Sequence, residues 1–238
     1  MLNLQVSQKP ILEHTDSDGS VILDLAPGFL AVALVRRGQG VRVASAAENQ
    51  LLGKSTERQR DGFLAGRHAA HLACLRLGIA CELIGRGRHG EPLFPAALRG
   101  SISHSRTVAV AAVAQATATQ AVGVDVDDER NLPAIAMADI SWKSEVSRLQ
   151  TFLSLSDLHA AERFAFSAKE AVFKCQFPLT QNRRLGFKQV SLWPLKSGEG
   201  LQVRPHSTAK ATAEVLRRIS VVTLSCQGHR VVIATANQ

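Results

Sequence analysis

Two long helical stretches, each set among short β-forming runs, constrain this chain more than any other feature. Over residues 56–77 the apolar side chains Phe63, Ala70, Cys74 and Leu77 fall in one narrow stripe when each residue advances about 100°. Gly78 follows as a helix-ending glycine. A second helix is predicted over 156–175, its end marked by Pro178. Around them, residues 21–25, 29–35, the later part of 101–113, 121–126, 190–195, 201–204, 219–224 and 230–235 read as strands, because β-branched and apolar residues lie between Gly, Ser and Pro turns. The small polar run 115–120 reads as a linker, so residues 1–116 and 117–238 form two parts, each with strands and one main helix. Phe-Leu-Ala-Gly-Arg-His-Ala-Ala at 63–70 echoes Ala-Phe-Ser-Ala-Lys-Glu-Ala-Val at 165–172, which sets Arg67 in the position of Lys169. The expected fold is α+β: two similar α/β subdomains related by a pseudo-twofold, with charged helix faces at the seam.

Composition narrows the function classes. With 45% hydrophobic and 20% charged residues, the chain is neither disordered nor fibrous. Its longest apolar runs, 29–35 and 108–114, fall far short of the roughly 18 to 20 residues of a membrane span. The first 19 residues carry acids and a proline where a secretory signal places a basic patch and an apolar core, so the expected location is the cytoplasm, with no membrane partner. A net charge of +8 attracts phosphates, nucleic acid or acidic protein faces. The 4 cysteines form no CxxC pair, which points to neither a zinc site nor a disulfide framework. Aromatics at 5%, with no tyrosine, weigh against a binder that stacks single-stranded bases.

Four segments carry chemistry. In Phe166-Ser-Ala-Lys-Glu-Ala-Val-Phe-Lys174, helical spacing puts Phe173 and Phe177 within roughly 20° of Phe166, a stripe expected to be buried. Glu170 and Lys174 border it on one flank and Lys169 on the other; an ordinary i,i+4 ion pair with snorkelling lysines is the alternative. In Val122-Gly-Val-Asp-Val-Asp127, strand geometry turns Asp125 and Asp127 to one side, a pair suited to Mg²⁺. Turn-capping aspartates would also explain them, and Asp128 or Glu129 could replace Asp127 as a ligand. Third, Ser103, His104 and Ser105 offer hydroxyl, imidazole and backbone donors to a phosphate. A Ser/His catalytic pair there lacks the G-x-S-x-G elbow, and a turn with a satisfied core histidine is the plain structural reading. Fourth, Arg67 lies about 40° from Phe63 on the helical wheel and needs an anionic partner, phosphate being a natural one. Arg60 either joins it or faces solvent.

The order and spacing of these segments resemble the Sfp-type 4′-phosphopantetheinyl transferases, particularly the branch serving siderophore synthetases. The family's first region resembles Gly90 to His104, its second Gly123-Val-Asp-Val-Asp127, and its third, Phe/Trp-Ser-x-Lys-Glu-x-x-x-Lys, matches Phe166 to Lys174 at every specified position; Gly66-Arg67 is similar to an upstream signature. The resemblance implies an enzyme that moves the 4′-phosphopantetheine group of coenzyme A to a serine of an acidic apo carrier protein of fatty-acid, polyketide or peptide synthesis, releasing 3′,5′-ADP. It implies that Asp125, Asp127 and Glu170 hold Mg²⁺, and that Arg67, Ser103, His104, Lys169 and Lys174 bind CoA phosphates, with Arg60 a further candidate. Glu170 and Lys174 are then the catalytic pair, Glu170 acting as base directly or through a water. Many relatives carry glutamate where this chain has Asp127, one methylene shorter. A non-catalytic CoA or nucleotide-binding protein and a basic nucleic-acid-binding module are the rival readings, although the second has no use for Asp125 and Glu170. If the two parts bury their seam against each other, a monomer is expected.

Overall fold

The structure, a computed structural model, describes residues 12–38, 45–127 and 139–238. Its main strands pair into two antiparallel five-stranded sheets. The first contains β1 (Leu12–Thr15), β2 (Val21–Ala26), β3 (Leu30–Arg36), β6 (Leu98–His104) and β7 (Val108–Gln115), in the spatial order β1-β2-β3-β7-β6. A small hairpin of β4 (Gly85–Arg86) and β5 (Pro92–Leu93) precedes β6. The second sheet contains β8 (Ala121–Val126), β9 (Val190–Pro194), β10 (Leu201–Pro205), β11 (Ile219–Cys226) and β12 (His229–Ala236), in the order β8-β12-β11-β10-β9. Helix α2 (Glu57–Arg76) packs on the first sheet, with α1 (Ala46–Gln50) joined to it through Glu48 and His71, and α3 (Lys143–Phe152), α4 (Leu158–Thr180) and α5 (Lys210–Arg217) belong with the second. None of the described helices is long and apolar enough to cross a membrane.

Strand alternation stacks these elements into four layers. On β3, Ala31, Ala33 and Val35 face α2, whereas Leu30, Val32 and Leu34 face the second sheet. On β8 and β12, Val122, Val124, Val126, Val231 and Ile233 meet the first sheet, while Ala121, Val232, Ala234 and Ala236 pack under α4. These strands are largely apolar on both faces, as a sheet covered on both sides requires. The two sheets follow related paths. In each, a strand leads to a long helix and the chain later returns as a hairpin whose last strand lies beside the first: β3–α2–β6–β7 in one, β8–α4–β11–β12 in the other.

Several elements differ from the sequence expectation. The second long helix continues through Pro178 to Thr180, although proline cannot donate to the carbonyl four residues back. Gln181, in the left-handed region at φ 54°, ends it by donating its N–H to the Phe177 carbonyl at 2.8 Å. The buried face of α4 is built from Ala161, Phe164, Ala165, Ala168, Ala171, Val172 and Cys175. The Phe166, Phe173 and Phe177 stripe lies beside it, with only Phe177 buried, because small residues let the helix sit close on the sheet. Strand β1 and helices α1, α3 and α5 were not anticipated. Helix α1 has a readable signal, since Ser45 and Glu48 form a reciprocal capping box.

The free edges of the second sheet are closed by side chains. At the β9 edge, Glu145 accepts the Leu192 N–H at 2.7 Å and Arg148 donates to the Leu192 carbonyl at 3.1 Å. At the β8 edge, the Ser101 hydroxyl accepts the Val124 N–H and Lys174 donates to the Val124 carbonyl, both at 3.1 Å. An uncovered strand edge invites another strand, and these four contacts remove that option locally. Strands β6 and β8, the edge strands of their respective sheets, meet at this second place.

Gly123 fixes how closely β8 approaches α4. A Cβ there would lie 1.9 Å from the Ala171 carbonyl oxygen and 2.6 Å from the Cys175 nitrogen, both backbone atoms. Gly123→Ala is expected to destabilise the fold by about 3 kcal/mol through overpacking, read as a lower urea midpoint.

Candidate active site

At the seam of β6 and β8, four functional groups converge. Lys174 Nζ lies 2.7 Å from Asp125 Oδ1, 3.0 Å from Ser103 Oγ and 3.1 Å from the Val124 carbonyl. The Ser103 hydroxyl donates to Asp125 Oδ1 at 2.6 Å. Asp125 is buried on the α4 side of its strand, and Lys174 reaches it from one turn beyond Glu170. Glu170 is half-buried; burial raises its pKa, Lys174 opposes this, and the Asp125 charge raises it further. Two acids thus crowd one lysine.

Asp127 behaves differently. It pairs with Arg163 at 3.6 Å, and its pKa is raised by burial while Arg163 and Arg230 hold it down. Among the described residues no group of three or more histidine, cysteine or acidic side chains is close enough to hold a metal ion. The expected trio of Asp125, Asp127 and Glu170 is therefore not assembled. The arginine takes up the shorter Asp127 carboxylate. The alternative ligands, Asp128 and Glu129, lie outside the described residues.

Two clefts flank the seam and share Gly90, Pro92 and Ile102 in their walls. The first, about 460 Å³, is cationic: Arg37, Arg58, Arg67, Arg86 and His104 line it. Arg67 is buried, its guanidinium 4.5 Å over the Phe63 ring; one nitrogen donates to the Gly85 carbonyl at 2.8 Å and Nε has no partner. Burial lowers its pKa to about 10, with Glu48 opposing and Arg86 adding to the fall. A buried guanidinium without a direct carboxylate partner suits an anion entering the cleft. His104 sits at the rim against Gly62; desolvation, Arg37 and Lys174 hold its pKa below the ordinary value. The second cleft, about 970 Å³, runs from Lys174 between the β4–β5 hairpin and α4, past Phe94, Phe173 and Phe177.

Two expected phosphate ligands are not at the clefts. Lys169 points into the interior, where its ammonium lies 2.8 Å from Glu145 and 2.7 Å from the Ile140 carbonyl, fully buried. Its place, one residue before Glu170, turns it by about 100° to the far side of α4. Arg60 is exposed and lines neither cleft; Arg58, Gln59 and Phe63 supply that face of α2. The segment echo does have a structural counterpart. Arg67 and Lys169 are both buried cations that donate to a backbone carbonyl, and each feels a buried glutamate from the short helix before its own. Glu48 accepts the Ile84 N–H just as Glu145 accepts that of Leu192.

Arg37, Arg58, Arg86 and the two buried glutamates were missed from sequence. Arg37, whose side chain is only 6% exposed, bonds Asp61 at 2.8 Å and the carbonyls of Ser105 and Arg58. Its position just after an apolar strand reads as an ordinary solvent exit, and only tertiary contacts reveal its role.

Residues 47–114 match the family model of the 4′-phosphopantetheinyl transferase N-terminal domain, a span that includes Arg67 and His104 but neither Asp125 nor Glu170. The chain is 36% identical over 149 residues to 4′-phosphopantetheinyl transferase Npt of Nocardia iowensis, covering 63% of this chain and 65% of that protein. It is 33% identical over 145 residues to 4′-phosphopantetheinyl transferase PptT of Mycobacterium tuberculosis, covering 61% and 63%. With enterobactin synthase component D of Salmonella typhimurium the identity is 35% over 125 residues, about half of each chain. The chain thus spans just under two thirds of the length of the first two relatives.

Two measurements check this geometry. Lys169→Met leaves Glu145 as an unpaired buried charge and is expected to cost about 3–5 kcal/mol in urea unfolding, against about 0.5 kcal/mol or less for Arg60→Ala. His104 is expected to titrate below 6.5 by NMR, moving up in Arg37→Gln. The folded state binds that proton less readily than the unfolded chain. Its contribution to stability is therefore whole above the unfolded value and is lost as pH falls through the lower folded one. By sequence and by the match over residues 47–114, this chain is similar to the 4′-phosphopantetheinyl transferases.

Proposed function

We propose that the chain is an enzyme that transfers 4′-phosphopantetheine from coenzyme A to a serine hydroxyl of an apo carrier protein. The observation that carries this reading is the meeting of Ser103, Asp125 and Lys174 beside Glu170, with a cationic cleft on one side and a partly apolar one on the other. A donor with a phosphorylated nucleoside at one end and a long neutral arm at the other suits that arrangement. Arg58, Arg67, Arg86 and His104 would take the nucleotide phosphates, and the diphosphate would lie at Lys174. In this reading residues 1–116 line the cationic cleft, and residues 1–116 and 117–238 together line the second.

Glu170 accepts the proton of the attacking serine, directly or through a water, as the serine oxygen bonds to the phosphorus next to the pantetheine arm. The bond from that phosphorus to the bridging oxygen breaks, and 3′,5′-ADP leaves with the electron pair. Lys174 places positive charge where negative charge develops on the leaving diphosphate, in a seam partly shielded from water. Ser103 and the Val124 carbonyl hold its ammonium there before substrate binds. Asp125 and Glu170 are hard oxygen donors whose charges oppose each other, so the pair fits Mg²⁺; Asp127 would join only by leaving Arg163. When bound, Mg²⁺ would supply Lewis-acid neutralisation of the diphosphate. Location in the cytoplasm, where apo carrier proteins are made, belongs to the same reading.

The test is incubation with CoA labelled in its pantetheine arm, Mg²⁺ and several apo carrier proteins. A mass gain on the carrier serine is expected, and no transfer to any of them would overturn the reading. Glu170→Gln is expected to lower kcat by about 100-fold or more while CoA still binds. A rate like that of the unmodified protein would remove Glu170 as the base.

A further inference from the structure

The far end of the second cleft is cationic, and nothing in the proposed transfer requires that. Strand β6 and helix α4 both run along this cleft. From Ser103 back to Arg99 is four strand residues, roughly 13 Å, and from Lys174 on to Gln181 is seven residues, roughly 10 Å at the helical rise. Arg99 and Arg183 are therefore both placed toward the end remote from Lys174, along with Gln181 and Gln120, the residue before β8. Arg99 is half-buried and donates to the Ala96 and Leu98 carbonyls, at 2.9 and 2.8 Å, with no carboxylate partner among the described residues. Arg183 is exposed and has none either.

Arg183 sits on a braced turn. Gln176, fully buried, donates to the Asn182 carbonyl at 3.0 Å; the Asn182 N–H meets Thr180 Oγ1 at 3.1 Å; and Asn182 Oδ1 accepts the Arg184 N–H at 3.0 Å. Glu91, the carboxylate among the cleft-lining side chains, is folded back on its own hairpin, accepting the His89 N–H at 2.9 Å. The walls between the two ends are largely apolar, with Leu93, Phe94, Phe173 and Phe177. An arm that enters at Lys174 thus passes apolar side chains and ends at two guanidiniums whose charge no acid balances.

We propose that this end recognises a carboxylate on the thiol terminus of the donor, so that CoA thioesters of dicarboxylic acids are favoured over neutral acyl thioesters of the same length. The proposal rests on the reading that CoA is the donor, with its diphosphate at Lys174. Arg183 supplies a guanidinium for charge-assisted hydrogen bonding, and Arg99 adds to the local positive potential. At a site open to water the gain is modest.

Succinyl-CoA and butyryl-CoA have four-carbon acyl groups that differ in the terminal carboxylate, so they form the test pair. Binding of each to the full chain is measured by calorimetry, and transfer from each to an apo carrier protein by mass. The expected result is a preference of about threefold to tenfold for succinyl-CoA, shrinking at 0.5 M salt, which screens exposed charge, and collapsing toward unity in Arg183→Ala and in Arg99→Gln/Arg183→Ala. Equal affinities in the unmodified protein overturn the proposal, as does a preference that survives the double variant. Calorimetry needs no turnover, so a binding preference without transfer would support this site while overturning the proposed reaction. Transfer from CoA without a preference would do the reverse.

Discussion

One ammonium group holds the seam together. Lys174 Nζ has three hydrogens and three acceptors: Asp125, Ser103 and the carbonyl of Val124. The acceptors come from the edge strand of each sheet, and the lysine from the helix that covers the second. The sheets pack through ordinary aliphatic contacts over most of their area, but where β6 meets β8 the chain places hydroxyl, carboxylate and ammonium groups instead. Polar groups at such a place are tolerable because each satisfies another. In the proposed reaction, the same requirement brings Asp125 and Lys174 to the donor's diphosphate.

Gly123 belongs to the same construction. It lets β8 come so close to α4 that the Ala171 carbonyl occupies the space of a side chain, and this short separation lets Lys174 reach around the strand edge. The glycine in Gly-Val-Asp-Val-Asp is therefore a packing residue, and the valines that alternate with the acids face the other sheet. Motif and fold are two aspects of one arrangement.

Much of the fold is legible in the sequence because its cause is local. The periodic helices and the aliphatic strands announce themselves, and Asp125, Glu170 and Lys174 lie where strand and helix geometry put them. Arg60 and Lys169 were harder, since a cation beside an apolar stripe turns outward or inward according to what another segment offers. Lys169 turns inward because Glu145 is waiting, from a helix that a single polar-looking stretch did not reveal. The same holds for Asp127 and Arg163, and for Arg37, whose partners are 21, 24 and 68 residues away. Short-range patterns specify which face a residue occupies, whereas long-range pairing decides what it meets there.

The side-chain closures at the two rims of the second sheet bear on how the protein behaves in crowded solution. On one rim Glu145 and Arg148 occupy the outward-facing groups of Leu192; on the other, Ser101 and Lys174 occupy those of Val124. The second pair adjoins the groups to which we assign chemistry. A β-segment from a neighbouring molecule could therefore add to that rim only by displacing Lys174 from the Val124 carbonyl. If Lys174 also serves the proposed transfer, resistance to strand-swapped association and chemistry depend on the same lysine.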